Sequence, residues 1–194
     1  MTKNEARKLF RIRRKAFSDQ EVNAKSEEIL RWIKSFNLND VEVFHIFLPI
    51  EKNNEINTYP IIDYLFEQNK RVVVPIVEGT ELLNAEIKPD FSTTLKAFDI
   101  PEPIDYRLIA SREIDAVFTP LFVVDLQGNR VGYGGGYYDR FFAAADSDFL
   151  KIGLSYFEPI EKIEDIHLGD VPLDLMVSPS GIVSFDALSS KVLK

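Results

Sequence analysis

The chain has no cysteine among its 194 residues. Disulfides, thiolate nucleophiles and zinc–thiolate centres are therefore excluded. Histidine is scarce, with two, and tryptophan occurs once. No apolar run approaches the ~20 residues of a membrane span, and Met1-Thr-Lys-Asn-Glu lacks the hydrophobic stretch of a secretory signal. A soluble cytoplasmic protein without membrane association is the expectation. Net charge is −8, which disfavours a general nucleic-acid binder. The phosphate-cradling pattern G-x-x-x-x-G-K-[ST] occurs nowhere.

What is present argues for a packed protein. The hydrophobic fraction is 45% with 15 phenylalanines, as in a globular chain and not a disordered one. The length fits one domain spanning residues 1–194. Charge is unevenly spread. Residues 1–15 hold seven basic side chains against one acid, a local +6 that leaves −14 for the rest. Lys3, Arg7, Arg11 and Arg14 fall at helical spacing and stack on one face, with Ala6, Leu9, Phe10, Ala16 and Phe17 on another. A solvated basic face is the commoner fate of such a run, and an anionic ligand the sharper one.

Ser18-Asp-Gln-Glu21 has capping-box form and opens a second helix, ending near Phe36. Strands are expected at 41–48, 71–76, 82–87, 114–119, 121–124, 151–156, 175–178 and 181–185, with a helix over 58–69. Residues 88–106, rich in turn formers, read as an irregular excursion. Strands alternating with helices imply an α/β three-layer sandwich around a mostly parallel sheet, preceded by the basic helix. His45, inside an apolar strand, reads as a hydrogen-bonded core residue.

The densest signal is Val131-Gly-Tyr-Gly-Gly-Gly-Tyr-Tyr-Asp139, where a strand-like run gives way to four glycines in five residues and then a helix, 137–145. Glycines at such a junction let backbone approach an anion closely, and helix-start N–H groups point at it. Arg130 and Arg140 bracket the loop, and Asp139 offers a carboxylate suited to Mg²⁺. The dinucleotide fingerprint is absent, because Tyr137 stands where its third glycine belongs. Helix-dipole attraction supplies about 0.3–1 kcal/mol, whereas micromolar binding needs about 8 kcal/mol. The loop alone cannot hold a nucleotide.

Asn129-Arg-Val-Gly-Tyr-Gly-Gly-Gly-Tyr-Tyr-Asp-Arg140 resembles the N-R-L-G-x-G-x-G-Y-Y-D signature of the 5-formyltetrahydrofolate cyclo-ligase family, with Val131 replacing leucine. The resemblance covers nearly the whole chain. It implies that Lys3 and Arg7, similar to an opening K-x-x-x-R, reach nucleotide phosphates together with Arg130, Val131, Gly132, Tyr133, Gly134, Gly135, Gly136, Tyr137, Tyr138 and Asp139. Leu48, Glu55 and Phe98, with Tyr137 and Tyr138, would contact the folate. In Asp170-Val-Pro-Leu-Asp174, which is similar to the family's D-x-x-x-D tail, the second aspartate would join Asp139 on the metal. Gly169 stands where many members have histidine, so His167 is not given that role.

The implied reaction uses ATP and Mg²⁺ to phosphorylate the formyl oxygen of 5-formyltetrahydrofolate. Attack by N10 then closes the ring of 5,10-methenyltetrahydrofolate, with ADP and phosphate released. No covalent enzyme nucleophile is needed, and the partners are small molecules. A non-catalytic module binding folate or a phosphorylated metabolite on the same scaffold is the alternative. A sugar-phosphate isomerase or acyl-CoA transferase relative would want a poised carboxylate, and no separate glutamate motif demands one.

Overall fold

The computed structural model describes residues 1–96, 99–145, 148–186, 189–190 and 192–193. The basic run forms helix α1, Lys3–Lys15, and the next segment α2, Asp19–Ile33. Both open with capping boxes: Thr2 with Glu5, and Ser18 with Glu21. Two backbone N–H groups are thus satisfied at each start. Strand β1 (Val43–Ile46) is followed by a single 3₁₀ turn, Glu51–Asn53, and by α3, Tyr59–Glu67, with proline in its first turn.

Next come β2 (Arg71–Glu78) and β3 (Glu81–Ile87), joined by a hairpin through Gly79 at φ +59°. The stretch read as irregular carries β4 (Thr93–Leu95) and β5 (Pro101–Pro103), a separate two-stranded ribbon, and then the short β6 (Arg107–Leu108). β7 (Ala116–Pro120) returns to the main sheet. β8 (Val123–Val124) leaves it and pairs antiparallel with β9, Arg130–Val131. Helix α4 (Tyr137–Ala144) follows the glycines, and β10 (Leu150–Leu154), β11 (Leu175–Ser178) and β12 (Gly181–Ser184) complete the chain.

Among the described residues the main sheet has eight strands, in the order β12-β11-β10-β7-β1-β2-β3-β6. The central five, β11 through β2, run parallel, and β12, β3 and β6 are joined on through antiparallel pairings. Within the parallel set, the second strand in sequence lies on one side of β1, while the third, fourth and fifth extend from its other side. That is a doubly wound order whose switch point lies between β1 and β7.

Alternation along the strands divides the core. Phe44, Ile46, Ala116 and Phe118 join α2 and α3 on one face, through Ile29, Ile33, Ile61, Ile62 and Leu65. Val43, Val73, Val117 and Met176 face the other way, onto Phe141 and Phe142 of α4. This is the expected three-layer α/β arrangement. The basic helix belongs to neither layer. Ala6 and Phe10 of α1 pack on Phe122, Val123 and Val131, so the helix rests on the β8–β9 ribbon and turns its charged side toward the glycine loop.

Candidate active site

β1 and β7 end side by side, and Pro120, the last residue of β7, lines a cavity of about 390 Å³. The rest of its wall comes from α1 (Lys3, Arg7), from Arg130, from the glycine loop with the first turn of α4, and from the segment 165–170. A crevice beyond the carboxyl ends of strands at the switch point is where doubly wound sheets receive ligands.

The loop is shaped for close approach. Gly134 has φ +101° and Gly136, at the N-cap of α4, φ +68°, conformations that favour glycine. A Cβ on Gly134 would lie 3.4 Å from the Arg7 guanidinium. Arg7 Nε donates to the Gly132 carbonyl at 3.0 Å, which fixes helix to loop. Among the described residues no side chain caps the start of α4. Its first N–H groups thus remain available to an anion.

Two ion pairs cross the cavity. Arg130, whose side chain is 6% exposed, donates to Asp139 Oδ1 at 2.6 Å and to the Val171 carbonyl, and lies 4.8 Å over the Phe142 ring. Burial lowers the pKa of its guanidinium, while Asp139 and Asp170 oppose that shift. Lys3 is buried and pairs with Asp170, and its backbone N–H donates to Asp165 Oδ1 at 2.6 Å. Burial alone would raise the Asp170 carboxyl, but the His167 amide and Lys3 outweigh it and hold it below the ordinary range.

The two tyrosines after the loop both line the cavity. The Tyr137 phenol donates to the Gly79 carbonyl at 3.2 Å. The Tyr138 phenol is buried without a hydrogen-bond partner among the described residues, and burial raises its pKa. Beneath it, His45 is fully buried, stacked on Phe141 at 5.2 Å between ring centroids. Neither of its ring nitrogens has a hydrogen-bond partner among the described residues, contrary to the expectation of a hydrogen-bonded histidine. Burial pushes its pKa down to about 3.

Four expected residues do not line this cavity: Val131, fully buried against Ala6 and Phe10 of α1, and Asp174, Leu48 and Glu55. Asp174 lies at the amino end of β11, opposite the start of β10, where it accepts from the Lys151 amide at 2.6 Å and pairs with Lys151 Nζ at 3.1 Å. Parallel strands put their starts at one sheet edge and the cavity at the other, so Asp174 does not meet Asp139. Leu48 is 5% exposed within the core on the α2–α3 face. Phe98 lies outside the described residues. Glu55 is buried just behind the cavity, its Oε2 accepting from the Ile50 amide at 2.7 Å and its Oε1 from the Tyr133 phenol.

Sequence reasoning did not select Asp165, His167 and Asp170, which complete the wall. Asp170 shared a motif with Asp174, and only the strand's starting point separates their positions. Among the described residues no group of three histidine or acidic side chains forms a ready-made metal cage, and no helix is long and apolar enough to cross a membrane.

Fold and cavity together define an α/β protein with a cavity lined by Lys3, Arg7 and Arg130 at the switch point of its sheet. Residues 1–179 match the model of the 5-formyltetrahydrofolate cyclo-ligase family. The 5-formyltetrahydrofolate cyclo-ligase of Haemophilus influenzae is 35% identical over 141 residues, 69% of this chain and 75% of its own. That of Escherichia coli K12 is 25% identical over 185 residues, 90% of this chain and 98% of its own. Among solved structures, the 5,10-methenyltetrahydrofolate synthetase of Aquifex aeolicus superposes with a TM-score of 0.80 at 27% identity, over 95% of this chain and 93% of that one. The chain belongs to the 5-formyltetrahydrofolate cyclo-ligase family, and thus to the ligases among enzymes.

Proposed function

We propose that this protein converts 5-formyltetrahydrofolate to 5,10-methenyltetrahydrofolate with ATP and Mg²⁺, releasing ADP and phosphate. The observation that carries the reading is the convergence of Lys3, Arg7, Arg130 and an uncapped helix start on one cavity at the sheet's switch point. Phosphoryl transfer demands charge neutralisation and alignment more than covalent chemistry.

The glycine loop receives the triphosphate through its backbone, and Lys3 and Arg7 neutralise it from α1. Arg130, forked between Asp139 and the Val171 carbonyl, is held rigid at the developing charge. The formyl oxygen of the folate bonds to the γ-phosphorus as the bond to ADP breaks. N10 then adds to the activated carbon and phosphate leaves. The substrate supplies both nucleophiles, consistent with a cavity wall without cysteine.

The carboxylates of Asp139 and Asp170 fit Mg²⁺, which takes one or two carboxylates beside phosphate oxygens and water. Both line the same cavity, and among the described residues the contacts of Asp139 fall on Oδ1, leaving Oδ2 to a cation. Mg²⁺ bound there would offset phosphate charge. Glu55 and the tyrosines face the folate side.

The test is direct. Purified protein with Mg²⁺-ATP and 5-formyltetrahydrofolate should develop the near-ultraviolet absorbance of the methenyl product. No change under saturating ATP would reject the proposal.

A further inference from the structure

We propose that Tyr133 is a positioning residue that transmits occupancy of the glycine-loop cavity to Glu55, and through it to a second cavity. That second cavity, of about 320 Å³, is walled by Asn23, Pro49, Asn54, Glu55, Asn57 and Tyr59 among others. The inference rests on the nucleotide reading given above and adds a link between its two substrate positions.

Tyr133 is the only residue of 132–136 with a side chain beyond hydrogen, so it is the loop's only side-chain handle. The residue is 38% exposed as a whole, yet its phenol end turns inward. It donates to Glu55 Oε1 and accepts from Arg14 Nη2 at 2.5 Å. The ring leans on Phe122 at 5.0 Å, and the Arg14 guanidinium lies 4.3 Å from the Phe122 centroid and 5.2 Å from that of Tyr133. Ring and hydroxyl are therefore fixed by three separate contacts.

One surface of α1 carries both ends of this link. Arg7 holds the loop through the Gly132 carbonyl, and Arg14, two turns later, holds it through Tyr133. The Arg14 and Phe17 carbonyls accept from Asn54 Nδ2, at 3.2 and 2.8 Å, which ties the segment before Glu55 to the same helix end. A glycine-rich loop has large conformational freedom to lose when it closes on a ligand. A ligand held by the loop strengthens the hold on Tyr133 in these contacts, and Tyr133 holds Glu55, which is 5% exposed and among the described residues has one other hydrogen-bond donor, the Ile50 amide. Binding on one side thus favours binding on the other, and by linkage the effect is mutual.

Hydrogen exchange with Mg²⁺-ATP alone reads this link without turnover. In the wild type, ATP should slow exchange over residues 130–139 and over 50–56. In Tyr133→Phe, which keeps the ring and removes the hydroxyl, slowing over 130–139 should persist and that over 50–56 vanish. The variant should also raise the KM for the formyl substrate about tenfold while changing kcat less than about twofold. A general folding defect would lower kcat and the thermal midpoint without that split.

Equal slowing over 50–56 in both proteins overturns the coupling. So does a wild type in which ATP slows 130–139 alone, or a variant that loses both responses. A wild type that slows both segments but forms no methenyl product rejects the proposed function and leaves the coupling standing.

Discussion

The two edges of the central sheet use the same chemistry to different ends. At the amino edge, Asp115 accepts from the Glu42 and Val43 amides, both at 2.8 Å, and Asp174 from the Lys151 amide and ammonium. Each carboxylate there closes on the start of a neighbouring strand. At the carboxyl edge, the pairs Arg130–Asp139 and Lys3–Asp170 lie in the wall of a cavity instead of closing on a strand. The difference teaches that strand direction, more than residue type, decides whether an aspartate closes on a strand start or faces the cavity.

The largest test of that contrast is Arg130→Ala, expected to lower kcat/KM for ATP about 100-fold or more. The side chain is buried, forked and charge-assisted, so its loss also strands Asp139. Lysine should restore only part, because a point charge cannot reproduce the fork. A loss below about threefold in steady-state assays would remove Arg130 from the proposed machinery.

Next in size is the paired substitution of the two tail aspartates. Asp174→Asn should lower stability by about 1.5–3 kcal/mol, the worth of a hydrogen bond to a charged group. For a chain of this size that means a thermal midpoint lower by about 4–8 °C, with the Mg²⁺ requirement unchanged. Asp170→Asn should raise the Mg²⁺ requirement and lower turnover about tenfold, with a smaller shift in midpoint. Titrations of activity against Mg²⁺ that gave the reverse pattern would return the metal to Asp174 and break the comparison.

Much of this contrast was open to sequence reading, and the remainder was hidden for physical reasons. The parallel strands announced themselves as apolar runs, and Ser18–Glu21 as a capping box that the structure contains. The glycine loop and the basic face of α1 were legible because local spacing carries them. The β8–β9 ribbon was not, because Leu121-Phe-Val-Val124 reads like any sheet strand until Val131 pairs with Val123. β5 hid behind Pro101 and Pro103, which lack the N–H of a strand and are tolerated in a small edge ribbon. Asp170 and Asp174 differ by one helical turn in sequence and by a sheet edge in space, a distinction no local pattern records.

His45 lies between the two edges, in β1 beneath α4, and links the site's floor to pH. Its folded pKa is pushed down to about 3 by burial, against an ordinary value of 6.5. The unfolded chain therefore binds a proton that the folded chain refuses once pH falls below about 6.5. Stability from neutral His45 is full above that pH and is lost as pH falls toward 3. At about 1.36 kcal/mol per unit, acidification to pH 5 should cost about 2 kcal/mol. His45→Phe should remove that slope, measured as the difference between variant and wild-type urea stabilities at pH 7 and pH 5. An unchanged difference would mean that the ring already accepts a proton in place.

The smallest expected effect isolates how much of the basic run is functional. Periodicity set Lys3, Arg7, Arg11 and Arg14 on one face, yet they reach different surroundings. Lys3 and Arg7 enter the cavity wall and Arg14 is buried against Tyr133, whereas Arg11 is exposed, with its guanidinium 5.7 Å from the Phe122 ring. An exposed cation over a ring contributes about 0.5–1 kcal/mol, and salt screens its longer-range pull on a phosphate. Arg11→Ala should therefore change KM for ATP less than about twofold at 0.15 M salt, while Arg7→Ala, which also frees the Gly132 carbonyl, raises it about tenfold. Equal effects from the two would mean that the helix acts through bulk charge, and the cavity's individual contacts would lose their claim to the nucleotide.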